Sequence, residues 1–417
     1  MADPSTVPLP AGAQFGDPRA ERRSEAYGRA RLARARAAVS SVFFQQGLLV
    51  GGWALHIPIL LDRLAITEST MGLVIVVFGM GSIIAMLSLG PVIERMGSRE
   101  ATRVAAIATS FFLPLVSVTP DVATTLVAAF AIGASIGAID VAMNAQAVEV
   151  ERRRRRPIMS SFHAYWSMGT LVGASVSGAI IGALGAMGHA VLFTAVSLAI
   201  AAFAWRHMVR ERVSAAGAER KPFRFPRAPA VYVLGIVCLF AYVPEGAAID
   251  WSALYLRDGI GAPLAAAGFA LAGLQITMMI MRFLGDAIRE RIGAVATLRI
   301  GGAVGALGLL VAGSVGLEMF AGWSPVVRTA MVSVGFVIAG LGFANIVPVA
   351  FAACGSIPGV SAGAALSIVA AHGYAGILLA PSAIGWIGER TGFAPVFIAL
   401  AALPFLVILL GDVVRGR

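Results

Sequence analysis

The 417-residue chain is 58% hydrophobic and 13% charged, with a formal net charge of +10 and a mean hydropathy of +0.85. Its roughly 240 apolar side chains match what twelve bilayer crossings of ~20 residues require, whereas soluble domains sit nearer half apolar and a quarter charged. A soluble enzyme, a disordered chain and a nucleic-acid binder are excluded.

In chain order, residues 1–36 hold Pro, Gly, Ala and Arg with few large apolar residues and are expected to form a flexible tail without a signal-peptide core. Apolar runs then recur near 37–61, 70–93, 101–118, 122–147, 159–184, 189–206, 230–256, 262–287, 296–315, 327–352, 361–387 and 394–412. Each is of spanning length and the loops are short. The expected fold is an all-α integral membrane protein with twelve transmembrane helices, numbered here as spans 1 to 12. A basic linker, 207–229, divides a six-helix half at 37–206 from another at 230–412, and 413–417 form a short tail.

Alternate loops carry the positive charge: Arg95, Arg99 and Arg103; Arg152 to Arg156; Arg210, Arg212, Arg220, Lys221, Arg224 and Arg227; Arg289, Arg291 and Arg299. The opposite loops hold only Arg63, Arg257, Arg328 and Arg390. Basic loops stay in the cytoplasm, so both termini are expected there and the chain in an inner, cytoplasmic membrane. Lys221 is the only lysine, and Cys238 and Cys354 both lie in apolar runs, so neither a disulfide framework nor a metal site is expected.

The halves echo each other. After span 2 comes Gly90-Pro-Val-Ile-Glu94-Arg95-Met-Gly97-Ser-Arg99, and after span 8 comes Asp286-Ala-Ile-Arg289-Glu290-Arg291-Ile-Gly293. Span 4 reads Gly133-x-x-x-Gly137-Ala-Ile-Asp140, and span 10 reads Gly340-x-Gly342-Phe-Ala-Asn345. Two related, pseudo-symmetric halves are the build of a transporter whose site lies at their interface.

The repeated Glu94-Arg95-x-Gly97-x-Arg99 loop and the six-plus-six layout resemble the major facilitator superfamily over about residues 37–412. Three segments are similar to its fucose-permease-like branch and that branch's bacterial relatives of unknown substrate: Asp140-Val-Ala-Met-Asn144, Phe162-His163-Ala-Tyr-Trp166-Ser167-Met-Gly169 and Glu245-Gly-Ala-Ala-Ile-Asp250-Trp251-Ser252. The resemblance implies that Gly90, Glu94, Arg95, Gly97 and Arg99, with Asp286, Arg291 and Gly293, gate the cytoplasmic side. Two departures limit the parallel. Where sugar symporters of that branch carry an acid on span 1, this chain reads Gly51-Gly52-Trp53-Ala54, and the Gly-Pro motif of drug:proton antiporters is missing from span 5.

Asp140 lies about 18 Å from Arg152 and about 28 Å from Asp121 along its helix, deep enough that a bare charge costs several kcal/mol. It is therefore expected to take up a proton or to face a wet cavity, with Asn144 one turn on to orient it or to meet substrate. Glu245, beside Pro244 in span 7, is the second candidate coupling group. Asp250 is read as a gate or a loop contact of Arg257 or a neighbour. Gln45, Gln46, Trp53, His163, Trp166, Asn345, His372 and Tyr374 supply amides, imidazoles and ring faces suited to a small hydroxylated solute. Arg282 is placed near the inner end of span 8 as a helix-end partner of Gly285-Asp286, leaving no central cation for an anionic substrate. With no Gly-Lys-Ser/Thr phosphate loop, the expected protein is a secondary carrier without cofactors and not an enzyme. It is expected to be monomeric, with protons, a small solute and membrane lipid as partners. The expected activity is proton-coupled uptake of a neutral, sugar-like solute. An exporter of cationic or amphipathic compounds is the alternative, and a non-transporting sensor or partner-binding protein comes after it.

Overall fold

Within a bilayer every backbone polar group must find its partner inside the protein, and a chain this apolar has helices as its simplest solution. The computed structural model describes residues 18–53, 56–211, 225–262 and 269–415, and among them every regular element is helical. The expected tail, linker and terminus fall partly beyond these residues, at 1–17, 212–224 and 416–417; Arg212, Arg220, Lys221 and Arg224 lie there too. The first helix begins at Pro18 and runs to Trp53, so the second half of the expected tail is helical.

Several spans are joined without a loop. Three long helices, Glu68–Ser110, Met159–His207 and Phe269–Ser314, carry spans 2 and 3, 5 and 6, and 8 and 9. A straight helix of 43 residues would extend about 65 Å, twice the hydrocarbon core. Each instead folds back at one glycine of non-helical geometry, Gly97 (φ 83, ψ 154), Gly185 (φ 70, ψ 171) or Gly293 (φ 81, ψ 165). That region is open essentially to glycine alone.

The fold-back is visible in the partners. Ser82 and Thr109 lie on either side of Gly97 and reach neighbouring carbonyls of span 4, Gly133 at 2.8 Å and Ser135 at 3.3 Å. Gly392, between spans 11 and 12, has the same conformation. All four cusps therefore join the second and third helices of a three-helix unit, as expected of nested repeats.

With Val122–Arg154 as span 4, Pro229–Leu254 extended to Ile260 as span 7, Pro325–Phe343 with Ile346–Ala353 as span 10 and Ala362–Thr391 as span 11, the described residues make twelve crossings. Inside each half the helices touch backbone to backbone. Gly47 and Gly51 of span 1 lie against the carbonyls of Trp166 and Thr170, while Gly169 and Gly173 of span 5 lie against those of Phe44 and Leu48. No Cβ fits at any of the four, the close small-residue packing that lipid-embedded helices rely on. Spans 9 and 10 repeat it through Gly308 and Gly335.

Candidate functional site

At the end of the bundle carrying the Arg-rich loops, here called the basic end, the two halves are shut against each other. Asp286, at the foot of span 8, accepts the backbone N–H groups of Ser160 and Ser161 at 2.8 and 2.9 Å. Those N–H groups open span 5 and have no partner within their own helix. Arg289 pairs with Glu151 at 2.8 Å, and the other oxygen of Glu151 accepts the N–H groups of Ile158 and Met159. Glu290 faces Arg156 at 3.6 Å.

The matching N-half loop contributes less across the interface. Glu94 accepts from Ser361 Oγ at 2.7 Å, and Gly90 lies against Ala364 and Ser367 of span 11. Arg95 is exposed, and among the described residues Arg99 approaches only its neighbour Glu100, at 3.8 Å. Arg291 is likewise exposed. Gly90, Glu94 and Asp286 of the repeated motif thus sit at the junction of the halves, Gly97 and Gly293 form the cusps, and among the described residues these three arginines reach no partner across it.

From mid-bilayer towards the opposite end runs a cavity of about 380 Å³, lined by both halves. Its floor holds Gln46, Asp140, His163, Trp166, Tyr242, Glu245, Arg282 and Tyr374. Its shaft is apolar, with Trp53, Phe78, Phe112, Ile132 and Ile249, and Asp250 lies near the mouth.

Two prolines shape the floor. Pro348 has no N–H for the carbonyl of Ala344, where the helix of span 10 is interrupted. Arg282 takes up that carbonyl through Nε at 3.2 Å, donates to Ser167 Oγ at 2.7 Å and meets Glu245 at 3.4 Å. Pro244 sits inside the helix of span 7 next to Glu245. Glu245 and Arg282 are only 8% and 5% exposed. At that burial, losing either partner strands the other's charge, which costs about 3–5 kcal/mol.

Asp140 is 7% exposed and meets no cation among the described residues; one of its oxygens has no hydrogen-bond partner there. Gln46 Oε1, His163 Nε2 and Glu245 Oε2 are also unpartnered. Buried polar atoms are ordinarily satisfied, so four such atoms around one cavity mark where a hydrogen-bonding guest or water belongs.

Of the residues singled out in the sequence, Gln46, Trp53, Asp140, His163, Trp166, Glu245 and Tyr374 line this cavity. Four others are used elsewhere. Gln45 donates to Ala106 O and Ser110 Oγ on span 3. Asn144 donates to the backbone carbonyl of Asp140 at 2.8 Å, so it does not orient the carboxylate. Asn345 bonds Met281 O at 3.1 Å and sits against Gly285, and His372 bonds the carbonyl of Ile368 in its own helix. An amide or imidazole on a span serves a neighbouring helix as readily as a cavity, and spacing alone does not separate the two.

Arg282 corrects the sequence reading. Its helix continues through Arg289 and Arg291 to the cusp at Gly293, which places Arg282 about 16 Å inside the bundle and on the cavity floor. Arg257 pairs with Asp258 at 2.6 Å and not with Asp250. Tyr242, edge-on to Tyr374 at 6.3 Å, is a floor residue that the sequence did not flag.

Comparison with known proteins agrees with this architecture. A family profile, Major Facilitator Superfamily, matches residues 42–337. An uncharacterized MFS-type transporter of Yersinia pestis is 32% identical over 361 residues, covering 87% of this chain and 91% of its own. Among solved structures, FucP in its outward conformation superposes with a TM-score of 0.72 at 14% identity, over 91% of this chain and 97% of FucP. A second FucP structure is described as the E. coli fucose:proton symporter, with a TM-score of 0.67 at 15% identity and the same coverage. The proton:xylose symporter XylE gives 0.70 at 14% identity, over 90% of this chain and 95% of XylE. At such identities the structural likenesses establish the fold, and they do not single out one branch or substrate.

Proposed function

Because this chain belongs to the major facilitator superfamily of transporters, we propose that it is a proton-coupled carrier taking up a small neutral polar, sugar-like solute by alternating access. The observation that carries this reading is the unequal surroundings of two carboxylates on one cavity floor. Glu245 has Arg282 as counter-ion, whereas Asp140 has none and keeps an unpartnered oxygen at the cavity. A proton on Asp140 leaves the floor neutral overall, which suits a neutral guest whose hydroxyls meet Gln46, His163 and Glu245. Loss of that proton leaves a charge that must face water or a partner, so guest and proton bind in mutual support.

The charge asymmetry of the loops supports a cytoplasmic basic end and cytoplasmic termini in an inner membrane. On that orientation the cavity faces outward and the ion pairs at the basic end form the inner gate, as in an outward-open state. The likeness to FucP, a fucose:proton symporter, and to XylE, a proton:xylose symporter, supports the same class.

The test starts with a thermal-shift screen of sugars, polyols, amino acids and lipophilic cations on the purified protein, since a ligand bound only by the native state raises its stability. With a substrate in hand, Asp140→Asn in proteoliposomes should retain binding and exchange and lose accumulation driven by a pH gradient. Full gradient-driven uptake by a well-folded Asp140→Asn protein would remove Asp140 from the mechanism.

The apolar, aromatic shaft favours a second reading, a proton-coupled exporter of cationic or amphipathic compounds with Asp140 and Glu245 as counter-ions. Stabilisation by lipophilic cations, with no response to polyols or sugars, would select it.

A further inference from the structure

A second pocket, of about 290 Å³, opens at the basic end between the halves, lined by Arg36, Arg154, Arg156 and Tyr165 on one side and by Phe283 and Glu290 on the other. Its positive charges are unevenly answered. Within the run 152–156, Arg152 and Arg153 both bind Glu149, and Arg156 faces Glu290. Arg154 is half-buried at this pocket, with no hydrogen bond or ion pair among the described residues. Arg36, also half-buried, donates once, to Ser161 Oγ at 3.1 Å. The bordering acids are already engaged, Asp286 by the start of span 5 and Glu290 by Arg156.

A topology marker needs only to remain in water. Two guanidiniums gathered in one cleft, with no carboxylate bonded to either among the described residues, repel each other and call for an anion. The pocket's other wall is greasy: Tyr165 meets Phe283 edge-on at 5.7 Å, and Phe283, Ile276, Ile280 and Leu284 are all exposed along span 8. A cationic floor at the helix ends, continuous with an apolar strip along the bilayer-facing side, matches the two-part chemistry of a phospholipid better than that of a soluble ion.

We propose that this cleft binds the phosphodiester headgroup of an anionic phospholipid. Arg36 and Arg154 take the phosphate oxygens and the acyl chains lie along span 8. Since both halves line the pocket, a bound lipid ties them together and favours closure of the basic end.

The experiment is native mass spectrometry of the full-length chain in detergent, offered phosphatidylglycerol or phosphatidylcholine. One phosphatidylglycerol should be retained in preference, and Arg36→Gln or Arg154→Gln should each weaken retention about fivefold. Arg152→Gln removes the same charge outside the pocket and should leave retention unchanged. Equal loss in all three variants would reduce the effect to general electrostatics and overturn the site. Displacement of the lipid by inorganic phosphate would make it a small-anion site and overturn the lipid assignment. If Arg154→Gln does not fold, Tyr165→Ala, which removes the apolar lip, should weaken retention while keeping every charge; unchanged retention would count against the proposal. In vesicles, phosphatidylglycerol should lower labelling of a cysteine placed at the basic end between the halves, and unchanged labelling would refute the tying role.

Discussion

Gly90 and Asp286 hold matching positions in two loops of one design, and the loops spend their polar groups in opposite ways. The C-half loop reaches across the interface, where Asp286 caps span 5 and Arg289 grips Glu151. The N-half loop is fastened to its own half and to the start of the linker. Just past Gly97, Ser98 donates through both its N–H and its hydroxyl to Glu211, and Gln146 Nε2 donates to Ser98 Oγ at 2.7 Å. Only Glu94 crosses over. A duplicated loop thus binds mainly across the interface in one copy and mainly within its own side in the other, so under the proposed alternating access the C-half copy should act as the latch of the basic end.

The most damaging way to break this contrast is Asp286→Ala, which leaves two buried N–H groups without their charged acceptor. Hydrogen bonds to charged groups contribute about 1.5–3 kcal/mol, so the closed form should lose roughly ten- to a hundredfold in population. Labelling of a cysteine in the vestibule at the basic end would read the change. Unaltered labelling would show that Asp286 is not a latch.

Next in size is the Glu151–Arg289 pair, whose side chains are 14% and 17% exposed. In a double-mutant cycle, Arg289→Met should open the basic end more than the double replacement of both residues by Met, with a coupling of about 1–3 kcal/mol. Additive effects would mean that the pair holds nothing together.

Gly90→Ala examines the other copy. Its Cβ would lie 3.1 Å from Ser367 Oγ and 3.2 Å from the Cα of Ala364, so span 11 must shift by a few tenths of an ångström. A cost of about 1 kcal/mol follows, to be read as a modest rise in the same labelling. A rise matching that of Asp286→Ala would erase the asymmetry.

The anchor itself should respond to pH. Burial pushes the Glu211 carboxyl above its usual range, against the pull of its hydrogen bonds from Ser98. A carboxyl raised on folding stabilises fully below its unfolded value of 4.5, and that contribution is lost as pH rises through the folded value. Glu211→Gln should therefore melt higher than the parent at pH 7, with the gap closing towards pH 4. A gap that widens in acid would reverse the assignment.

Much of this was legible in the chain itself. Twelve apolar runs, the echoed loop and the depth of Asp140 follow from bilayer thickness and charge cost, which act on sequence directly. What escaped depends on azimuth and on breaks in the helices. Asn144 and Gln45 have the right depth and the wrong direction, and Arg282 was misjudged because the helix runs on to Gly293, past the assumed end of the span. The partner of Glu211 lies 113 residues away, across a fold that only the packing defines.

The glycine contacts between spans 1 and 5 and between spans 9 and 10 have a mechanical corollary. With no Cβ to act as a bearing between those backbones, each half is expected to move as a stiff lever under the proposed alternating access. On that proposal, widening at the basic end should appear as narrowing at the mouth near Asp250. Paired distance probes at the two ends should move in antiphase, and a single probe at the mouth would report the state of a latch on the far side of the membrane.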